Sequence, residues 1–293
     1  MSSGLPKISI ITPSYNDCHY LERTILSVLS QGYPNLEYII IDGGSTDGSV
    51  DIIKKYADKL AWWVSEPDGG MYHALKKGFE KSTGDIMGWI NSDDLLHTKS
   101  LFTVGQVFGD HEEIQWLQGT PNVVDEDDRV VVVLPADDVD KLFFYKKKHI
   151  DNHKYIQQES TYWRRSLWDK VGAHISTDYK YAGDFELWIR FFQHAKLYNI
   201  DAFTGAFRLS RAGQASVENY PAYLEETLSV LKRYPLTEEE EKQIKAMRLL
   251  NKSEDFLHKI KGWFLSKKEP DITYVENHKL YFNGETQKFE LRK

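Results

Sequence analysis

Two adjacent aspartates, Asp93 and Asp94, are the residues whose type and spacing point most directly to chemistry in this chain. Neighbouring carboxylates repel each other and stay ionised at low cost only when water or a cation neutralises them. Their oxygens suit a hard divalent metal such as Mg²⁺ or Mn²⁺, which keeps coordination positions open for phosphate oxygens. The alternative is that Asp94 caps a helix running through Leu101. The pair alone does not decide between a metal site and a helix cap.

Polar clusters follow four short apolar runs near the start of the chain. These clusters are Thr12–Asn16, Asp42–Ser45, Glu66–Gly70 and Asn91–Asp94. If the runs are parallel strands of one sheet, their carboxyl ends meet at the same edge, and ligands collect in the crevice beyond that edge. Four clusters at one edge therefore predict a ligand site.

The elements that must position these clusters alternate between strand and helix. Apolar runs predict buried strands, and apolar residues at helical spacing predict helices. The predicted strands are Lys7–Thr12, Tyr38–Ile41, Trp62–Val64 and Ile86–Ile90; the predicted helices are Leu21–Leu29, Ile52–Leu60 (capped by Ser45 or Ser49) and Ala74–Lys81. This alternation predicts an α/β fold, with a mostly parallel central sheet and helices on both faces.

The second part of the chain is less regular. Glu113–Gly119 and Val130–Leu134 are predicted strands, separated by the acidic turn Asp125–Asp128 as in a hairpin. Phe185–Phe192 is a predicted helix with a heavy apolar face. After a boundary near residue 215, we expect helices rich in Glu and Lys, then a short β tail. The tail is predicted at Ile272–Val275 and Leu280–Phe282, with Asn283–Gly284 as its turn.

Composition excludes several classes of protein. The chain carries 37 basic and 44 acidic side chains, a net charge of −7, whereas a general nucleic-acid binder is normally basic. The single cysteine, Cys18, excludes an internal disulfide and a cysteine-rich zinc site, and is typical of a reducing compartment. No apolar run approaches the ~20 residues of a membrane-spanning helix, and the N-terminal residues lack the features of a signal peptide. We therefore expect a cytoplasmic protein with no nucleic-acid partner.

The usual glycine-rich nucleotide-binding loops are absent from the sequence. No Gly-x-Gly-x-x-Gly follows the first predicted strand, and there is no Walker lysine loop. A nucleotide, if the chain binds one, is therefore not held by a glycine-rich helix start. A metal that bridges its phosphates is the natural substitute.

In combination, these motifs resemble the family 2 inverting glycosyltransferases, which have the GT-A fold. The resemblance covers residues 6–215 and rests on motifs in the family's order and spacing: Ile10–Asn16, Ser27–Gln31, Tyr38–Ser49, Asn91–Asp94 and Ala182–Arg190. It implies a domain over 1–215, with a nucleotide-binding half at 1–100 and an acceptor-binding half at 101–215. Residues 216–293 are then a mostly helical C-terminal extension.

The resemblance also implies roles for single residues. Asp94 would coordinate the metal, Asp93 would lie against the ribose or the metal, and Asp184 would be the catalytic base. The expected nucleotide-binding residues are Thr12, Pro13, Ser14, Asn16, Asp42, Asp68 and Asp93.

Three positions depart from the family pattern. Gly43 stands where a second acid is common, so recognition of the base would rely on Asp42, Asp68 or main chain. Lys76 or Lys77 replaces an Asn that is often found in the following helix, and Ser210 replaces a familiar His. The departures leave the class intact and the identity of the donor open.

The position of Asp184 suits a general base, because it follows Gly183 and begins an apolar helix from which a carboxylate can project. Helix capping is the competing interpretation, and a helix dipole would depress the pKa of this acid. Glu186 is the second candidate for the base.

Other segments carry weaker signals. Gln157–Ser160 fits a contact with the acceptor or the diphosphate, or else a solvated strand. Two stretches that mix cations and aromatics, Lys141–Lys148 and Lys259–Lys268, fit either contact with an anionic membrane surface or packing on the main domain. Four tryptophans within predicted elements are expected in the core: Trp62, Trp63, Trp89 and Trp188.

The sequence therefore predicts a transferase that uses Mn²⁺ or Mg²⁺ to move a hexose from a nucleotide diphosphate sugar, with a UDP-sugar as the expected donor. The expected acceptor is a saccharide or a lipid-linked saccharide in polysaccharide or glycolipid assembly. A non-catalytic carbohydrate-binding protein and a nucleotidyltransferase on a similar sheet are the alternatives. A glycoside hydrolase fits less well, because its two acids flank the scissile bond, whereas Asp93 and Asp94 are neighbours.

Overall fold

The N-terminal part of the chain alternates between strands and helices, as predicted. A computed structural model describes residues 4–135, 139–147, 150, 155–209, 219–246 and 278–291. The elements of this first part are β1 (Ile8–Ser14), α1 (Cys18–Leu29), β2 (Leu36–Asp42), α2 (Ser49–Lys55), β3 (Trp62–Ser65), α3 (Met71–Lys81) and β4 (Ile86–Trp89). All seven residues of β1 are buried, as expected for a parallel strand covered on both faces.

Shorter elements follow in the second part. They are β5 (Leu95–Leu96), α4 (Ser100–Asp110), β6 (Trp116–Gln118), β7 (Asn122–Val124), β8 (Val130–Val133), α5 (Lys141–Tyr145), β9 (Thr161–Arg164), α6 (Arg165–Lys170), α7 (Gly183–Phe192), β10 (Leu197–Ile200), β11 (Gly205–Arg208), α8 (Tyr220–Arg233), β12 (Lys279–Asn283) and β13 (Lys288–Leu291). The strands form a nine-stranded sheet in the order β13-β12-β10-β6-β9-β4-β1-β2-β3 and a four-stranded sheet in the order β5-β11-β7-β8.

The large sheet is mostly parallel, which confirms the predicted fold class. The pairs β1–β2, β1–β4, β2–β3, β6–β10 and β10–β12 are parallel, whereas β9 runs antiparallel between β4 and β6. The pair β12–β13 is an antiparallel hairpin that turns at the predicted Asn283–Gly284. This hairpin extends the sheet beside β10.

Alternate residues of the central strands supply two hydrophobic clusters on opposite faces of the sheet, because side chains alternate between faces along a strand. Ile8 and Ile10 belong to one cluster, and Ile11 belongs to the other. The second cluster contains most of the aromatic rings, with Trp89 stacked on Trp188 at a ring separation of 5.6 Å. Trp89 and Trp188 are thus core residues, as predicted, while Trp62 and Trp63 are half-buried.

Two local predictions were wrong. The helix α2 is preceded by Gly48, whose φ of 107° is left-handed, and neither Ser45 nor Ser49 caps it. The partner of β8 in the hairpin is β7, whereas the predicted partner segment contributes β6 to the large sheet. Three-residue strands such as β7 leave too short a pattern for sequence periodicity to detect.

The predictions for the C-terminal part of the chain are tested only in part. The helix α8 buries Tyr223, Thr227 and Val230, and it packs against α7. The predicted boundary at 215, the Lys259–Lys268 stretch and the strand at 272–275 lie outside the described residues, so the division into two units stays a prediction. No helix in the described parts of the chain has the length and apolar character needed to cross a membrane.

Candidate functional site

The loops after β1 and β2 are tied together at the carboxyl edge of the sheet. The backbone N–H of Asn16 donates to Ser45 Oγ at 2.8 Å, and the N–H of Thr46 donates to Asn16 Oδ1 at 2.9 Å. Asn16 adopts a left-handed φ of 49°, which asparagine tolerates better than most residues. These bonds bring two of the predicted polar clusters into one network.

Asp42 is buried and uses its carboxylate within its own loop. Its Oδ2 accepts hydrogen bonds from the N–H groups of Gly44 and Ser45 at 3.1 and 2.9 Å and from the Ser65 hydroxyl at 2.6 Å. Its Oδ1 accepts from the Ser45 hydroxyl at 2.5 Å. The carboxylate therefore orders the loop after β2, and its contact with a nucleotide stays a prediction.

Thr12, Pro13 and Ser14 are all buried in the last part of β1. The Thr12 hydroxyl lies 3.0 Å from the hydroxyl of Tyr38 in the interior. The Ser14 hydroxyl has no hydrogen-bond partner among the described residues. Of the three predicted nucleotide-binding residues, Ser14 is thus the one with a polar group left to offer.

Asp68 lies beside Gly43, the position where the sequence lacks a second acid. A Cβ built on Gly43 would be 3.4 Å from both carboxylate oxygens of Asp68 and 3.2 Å from Cδ2 of Tyr15. The Tyr15 side chain is 67% exposed. An acid from the loop after β3 therefore occupies the space that a side chain at position 43 would need.

Asp94 is buried and does not cap a helix, because α4 begins only at Ser100 after Lys99. Its Oδ1 accepts the N–H of Arg208 at 2.9 Å, and its Oδ2 accepts the side-chain amides of Asn91 and Gln158, both at 3.3 Å. Burial, followed by the charges of Asp93 and Glu159, raises the pKa of Asp94 well above its ordinary value. The exposed crevice carboxylate that the sequence suggested is in fact an interior one.

Arg208 is a fully buried cation next to the acid pair. Its Nε donates to the backbone carbonyl of Asp93 at 2.6 Å, its Nη1 forms an ion pair with Asp128, and its guanidinium lies 4.9 Å from the ring centre of Tyr20. Burial raises the pKa of Asp93, and the nearby Arg208 charge opposes that rise. Sequence reasoning did not assign a role to Arg208, because its partners come from distant segments.

The acid pair has the donor chemistry of a diphosphate-bound metal. Carboxylate oxygens are hard ligands that suit Mg²⁺ and Mn²⁺. Within the described residues, there is no group of three His, Cys, Asp or Glu side chains placed to hold a metal. A metal on Asp93 and Asp94 would therefore take its other ligands from phosphate oxygens and water, which fits a substrate-completed site and not a structural one.

Asp184 lies at the start of α7, as predicted, but Ala182 is the residue that precedes the helix. Asp184 Oδ1 accepts the N–H of Phe185 at 2.7 Å and lies 3.2 Å from the Tyr72 hydroxyl. Burial raises the pKa of Asp184 to about 6, and the hydrogen bonds only partly offset this rise. The expectation that the helix dipole would depress this pKa was wrong, because desolvation outweighs it.

Glu186, the second candidate for the base, is committed to the core. It is 1% exposed, and both of its carboxylate oxygens accept from Arg190 Nε at 3.0 Å. Its Oε1 also accepts the Tyr234 hydroxyl at 2.5 Å. Arg190 in turn donates to the carbonyls of Val171 and His174 at 2.8 and 2.7 Å. This buried network joins α7 to its neighbours and leaves Glu186 no free lone pair directed at a substrate.

A cavity of about 550 Å³ opens beside Asp184. Most of its wall is aromatic or apolar; among its polar residues, Asn91 and Gln158 donate hydrogen bonds to Asp94, and Asp184 is itself part of the lining. The lining residues are Met71, Tyr72, Trp89, Asn91, Tyr155, Ile156, Gln157, Gln158, Glu159, Tyr181, Asp184, Phe207, Tyr220 and Tyr223. The cavity size suits a sugar-sized ligand.

Two groups of lining residues were missed or left undecided by the sequence. Tyr220 and Tyr223 come from α8, beyond the predicted boundary at 215, and nothing in their spacing distinguishes them from core residues. Gln157–Ser160 is not a solvated strand, because Glu159 is 2% exposed and the segment forms a 3₁₀ turn at Gln158–Ser160. The polar content of this segment was the only signal that pointed to the site.

The sequence profile of glycosyl transferase family 2 matches residues 9–177. A glycosyltransferase of Mycobacterium tuberculosis, described as uncharacterized, is 31% identical over 195 residues, which cover 64% of this chain and 70% of that protein. The Bacillus subtilis glycosyltransferase TuaG, named for teichuronic acid biosynthesis, is 38% identical over 97 residues, which cover 32% of this chain and 38% of that protein.

Solved structures share the fold at lower sequence identity. TarS of S. aureus (residues 1–349), in complex with UDP-GlcNAc, superposes with a TM-score of 0.63 at 19% identity, covering 83% of this chain and 71% of that one. The mannosyltransferase PcManGT of Pyrobaculum calidifontis, in complex with GDP-Man and Mn²⁺, gives a TM-score of 0.60 at 18% identity, covering 81% and 67%. Both confirm the predicted fold.

Replacing Glu186 with alanine should destabilise the protein, because it leaves the buried Arg190 guanidinium without a carboxylate. Loss of one partner of a buried ion pair typically costs about 3–5 kcal/mol. We expect this loss in urea denaturation, with the exposed Glu225→Ala variant in α8 as the matched control. A Glu186→Gln protein of normal stability but without activity would contradict the structural role and return Glu186 as the candidate base.

Proposed function

The chain belongs to glycosyl transferase family 2, and from this membership we propose that it moves one sugar from a nucleotide diphosphate donor to a saccharide hydroxyl, inverting the anomeric centre. A UDP-sugar is the proposed donor. The observation that carries the proposal is the position of Asp184, a buried acid that lines a cavity of about 550 Å³ in which two other lining residues, Asn91 and Gln158, donate hydrogen bonds to Asp94.

In the proposed reaction, Asp184 removes the proton of the acceptor hydroxyl. The oxygen attacks the anomeric carbon from the face opposite the diphosphate, and the bond from that carbon to the diphosphate oxygen breaks. Proton transfer and displacement in this geometry require the base and the leaving group on opposite sides of the sugar. Asp184 lines the cavity itself, whereas Asp94 is connected to it through the side-chain amides of Asn91 and Gln158, and this supports the arrangement.

Asp93 and Asp94 are the residues proposed to hold a divalent cation, Mn²⁺ or Mg²⁺. When bound, the cation would absorb negative charge on the leaving diphosphate. The buried Arg208 beside the pair partly balances the two carboxylates. The Mn²⁺ bound by the structural relative PcManGT supports a divalent metal.

The nucleotide is proposed to lie across the loops that follow β1, β2 and β3. Asp93 is placed for the ribose or the metal, and Ser14, Asn16 and Asp68 offer polar groups there. Thr12, Pro13 and Asp42 support this region from the protein interior, since Pro13 is buried and the polar groups of Thr12 and Asp42 bond within the protein. UDP-GlcNAc in the structural relative TarS supports a uridine nucleotide.

The acceptor is proposed to be a saccharide, free or linked to a lipid, in polysaccharide or glycolipid assembly. The tyrosines of the cavity wall suit the apolar faces of sugar rings, and the similarity to TuaG supports a role in polysaccharide assembly.

Membrane contact stays a prediction. Of the two candidate stretches, Lys141–Lys148 buries Leu142 and Phe144 in the protein, and Lys141 Nζ donates to Glu240 at 2.7 Å. The cytoplasmic location also stays a prediction.

Sugar transfer is preferred over the two alternatives by the same observations. A non-catalytic carbohydrate-binding protein has no need of a buried acid with a raised pKa in its ligand cavity, and a nucleotidyltransferase has no need of a base at the acceptor end. A panel of nucleotide sugars with Mn²⁺ and oligosaccharide acceptors, assayed by release of free nucleoside diphosphate, tests the proposal directly. Binding of nucleotide and acceptor without any release would contradict it.

Asp184→Asn should abolish turnover while it leaves nucleotide binding unchanged. General base catalysis typically contributes about 10²–10⁴-fold, so kcat should fall by at least that range, with the Kd for UDP and Mn²⁺ unaltered. The asparagine oxygen can keep both hydrogen bonds of Asp184 Oδ1, and its amide avoids the cost of a buried charge, so the melting temperature should not fall. A fully active variant would show that Asp184 is not the base.

The pH dependence of kcat/KM should report the raised pKa of Asp184. The base acts only when it is deprotonated, so activity should rise with pH up to about 6 and level off above it. An acid with the ordinary value of 3.8 would place this limb about two pH units lower. A profile that stays flat down to pH 4 would contradict the assignment.

Asp93→Asn should weaken metal-dependent nucleotide binding without unfolding the protein. The Asp93 carboxyl accepts a hydrogen bond from its own backbone N–H, and an amide oxygen can keep this bond. Loss of a carboxylate ligand, in contrast, removes a charge from the metal site. We expect the affinity for UDP in the presence of Mn²⁺ to fall by about tenfold or more, as measured by calorimetry. Asp58→Asn, an exposed site near α2, is the matched control. Equal Mn²⁺ dependence in both variants would argue against the metal role.

A further inference from the structure

Four residues that line the cavity each carry a buried polar side-chain atom with no hydrogen-bond partner among the described residues. They are Trp89 Nε1, Asn91 Oδ1, Gln158 Oε1 and Glu159 Oε1. Buried polar groups in proteins are nearly always paired, because an unmade hydrogen bond costs free energy. Four such atoms around one cavity therefore indicate a ligand that supplies hydrogen bonds of its own.

Asp94 fixes the direction of the two amides. Asn91 Nδ2 and Gln158 Nε2 both donate to Asp94 Oδ2 at 3.3 Å. Because each amide nitrogen is held there, the amide oxygens, Asn91 Oδ1 and Gln158 Oε1, remain free to accept from a ligand. A ligand that binds to these two oxygens must therefore bring donors, as the hydroxyl groups of a sugar do.

Glu159 is held in place by its backbone and not by its side chain. A Cβ built on Gly205 would lie 2.0 Å from the Glu159 carbonyl oxygen, so β11 packs directly on this turn. The Thr161 hydroxyl donates to the Gln157 carbonyl at 2.7 Å, and the Thr204 hydroxyl donates to the Ser160 carbonyl at 3.2 Å. The carboxyl group thus projects from a rigid turn with one oxygen unpaired.

The carboxyl of Glu159 lies within the electrostatic reach of both ends of the site. The charges of Asp93 and of Asp184 both act on it, in addition to its burial. In the proposed reaction, the transferred sugar lies between the diphosphate at Asp93 and the acceptor at Asp184. Glu159 lines the same cavity as Asp184, and the neighbouring Gln158 bonds to Asp94, so a sugar held in this cavity would lie next to the turn that carries Glu159.

We infer that the Glu159 carboxyl and the Gln158 amide oxygen bind hydroxyl groups of the transferred sugar and so determine which donor sugar the enzyme accepts. The inference rests on the proposed sugar transfer and adds a specificity site to it. The pairing holds in either protonation state, because a carboxylate accepts from a hydroxyl and a carboxylic acid can also donate to one. Trp89 Nε1 offers a donor to an oxygen of the same sugar.

The test compares nucleotide sugars with the bare nucleotide on the full chain. Calorimetry with Mn²⁺ measures the affinity of the wild type and of Glu159→Gln for UDP and for a panel of UDP-sugars that differ in one hydroxyl by epimerisation or deoxygenation. We expect the UDP affinity to change less than about twofold and the affinity for the accepted UDP-sugar to fall by roughly 3- to 100-fold, the range between loss of a neutral and loss of a charged hydrogen bond. The deoxy analogue that lacks the contacted hydroxyl should bind both proteins equally.

Glu80→Gln, an exposed acid on α3, is the matched control and should match the wild type throughout. If Glu159→Gln melts at a much lower temperature, Glu159→Asp replaces it, since the shorter acid keeps the charge but withdraws it from the sugar and should show the same selective loss. Unchanged affinity and unchanged sugar preference in a folded variant would overturn the inference. So would a collapse of kcat with normal sugar binding, which would make Glu159 a base.

Failure of the proposed function gives a different result. A wild type that binds no nucleotide diphosphate and transfers no sugar from the panel would overturn the proposed function, and the inference with it. A wild type that transfers sugar, combined with a Glu159→Gln variant of unaltered sugar preference, would overturn the inference alone.

Discussion

The buried carboxylate of Asp94 is the interaction on which the rest of the site depends. It accepts the backbone N–H of Arg208 from β11, the Asn91 amide from the loop after β4, and the Gln158 amide from the turn before β9. Three segments that are distant in the sequence therefore meet at one side chain. An uncompensated buried charge would be costly, so the nearby Arg208 and these hydrogen bonds are conditions for placing an acid there.

Loss of solvation on burial is the common cause of the raised pKa values of the acids in this region. Burial is the largest influence that raises the pKa values of Asp93, Asp94, Glu159 and Asp184. Glu159 and Asp184 line the cavity, and Asp94 bonds to the Asn91 and Gln158 side chains of its wall, so acids with raised pKa values cluster in this region. Such clusters are more typical of functional sites than of structural ion pairs. A structural ion pair in this chain offers a comparison. Glu186, equally buried, is paired with Arg190 and serves stability.

Aromatic residues of the core position the helix that carries Asp184. Trp89, at the end of β4, stacks on Trp188 of α7, the helix that carries Asp184. Tyr72 of α3 bonds to Asp184 and to the backbone just before α7. Asp184 is therefore held in place by residues of the aromatic core. A fixed position of Asp184 is what the proposed proton transfer requires.

The sequence by itself determined the fold class and predicted where the site lies. Runs such as Ile8–Ile11 and Tyr38–Ile41 predict strands buried on both faces, and their order with the helices implies a parallel sheet with polar loops at one edge. Asp93, Asp94 and Asp184 could be named because acids at strand ends and helix starts leave a local signal. The tertiary structure decided what each polar group has left to offer. Asp42, Thr12 and Glu186 are engaged by partners from other segments, while Glu159, Tyr220 and Tyr223 reach the cavity through long-range packing. Burial and pairing depend on residues far away in the chain, so no local pattern can specify them.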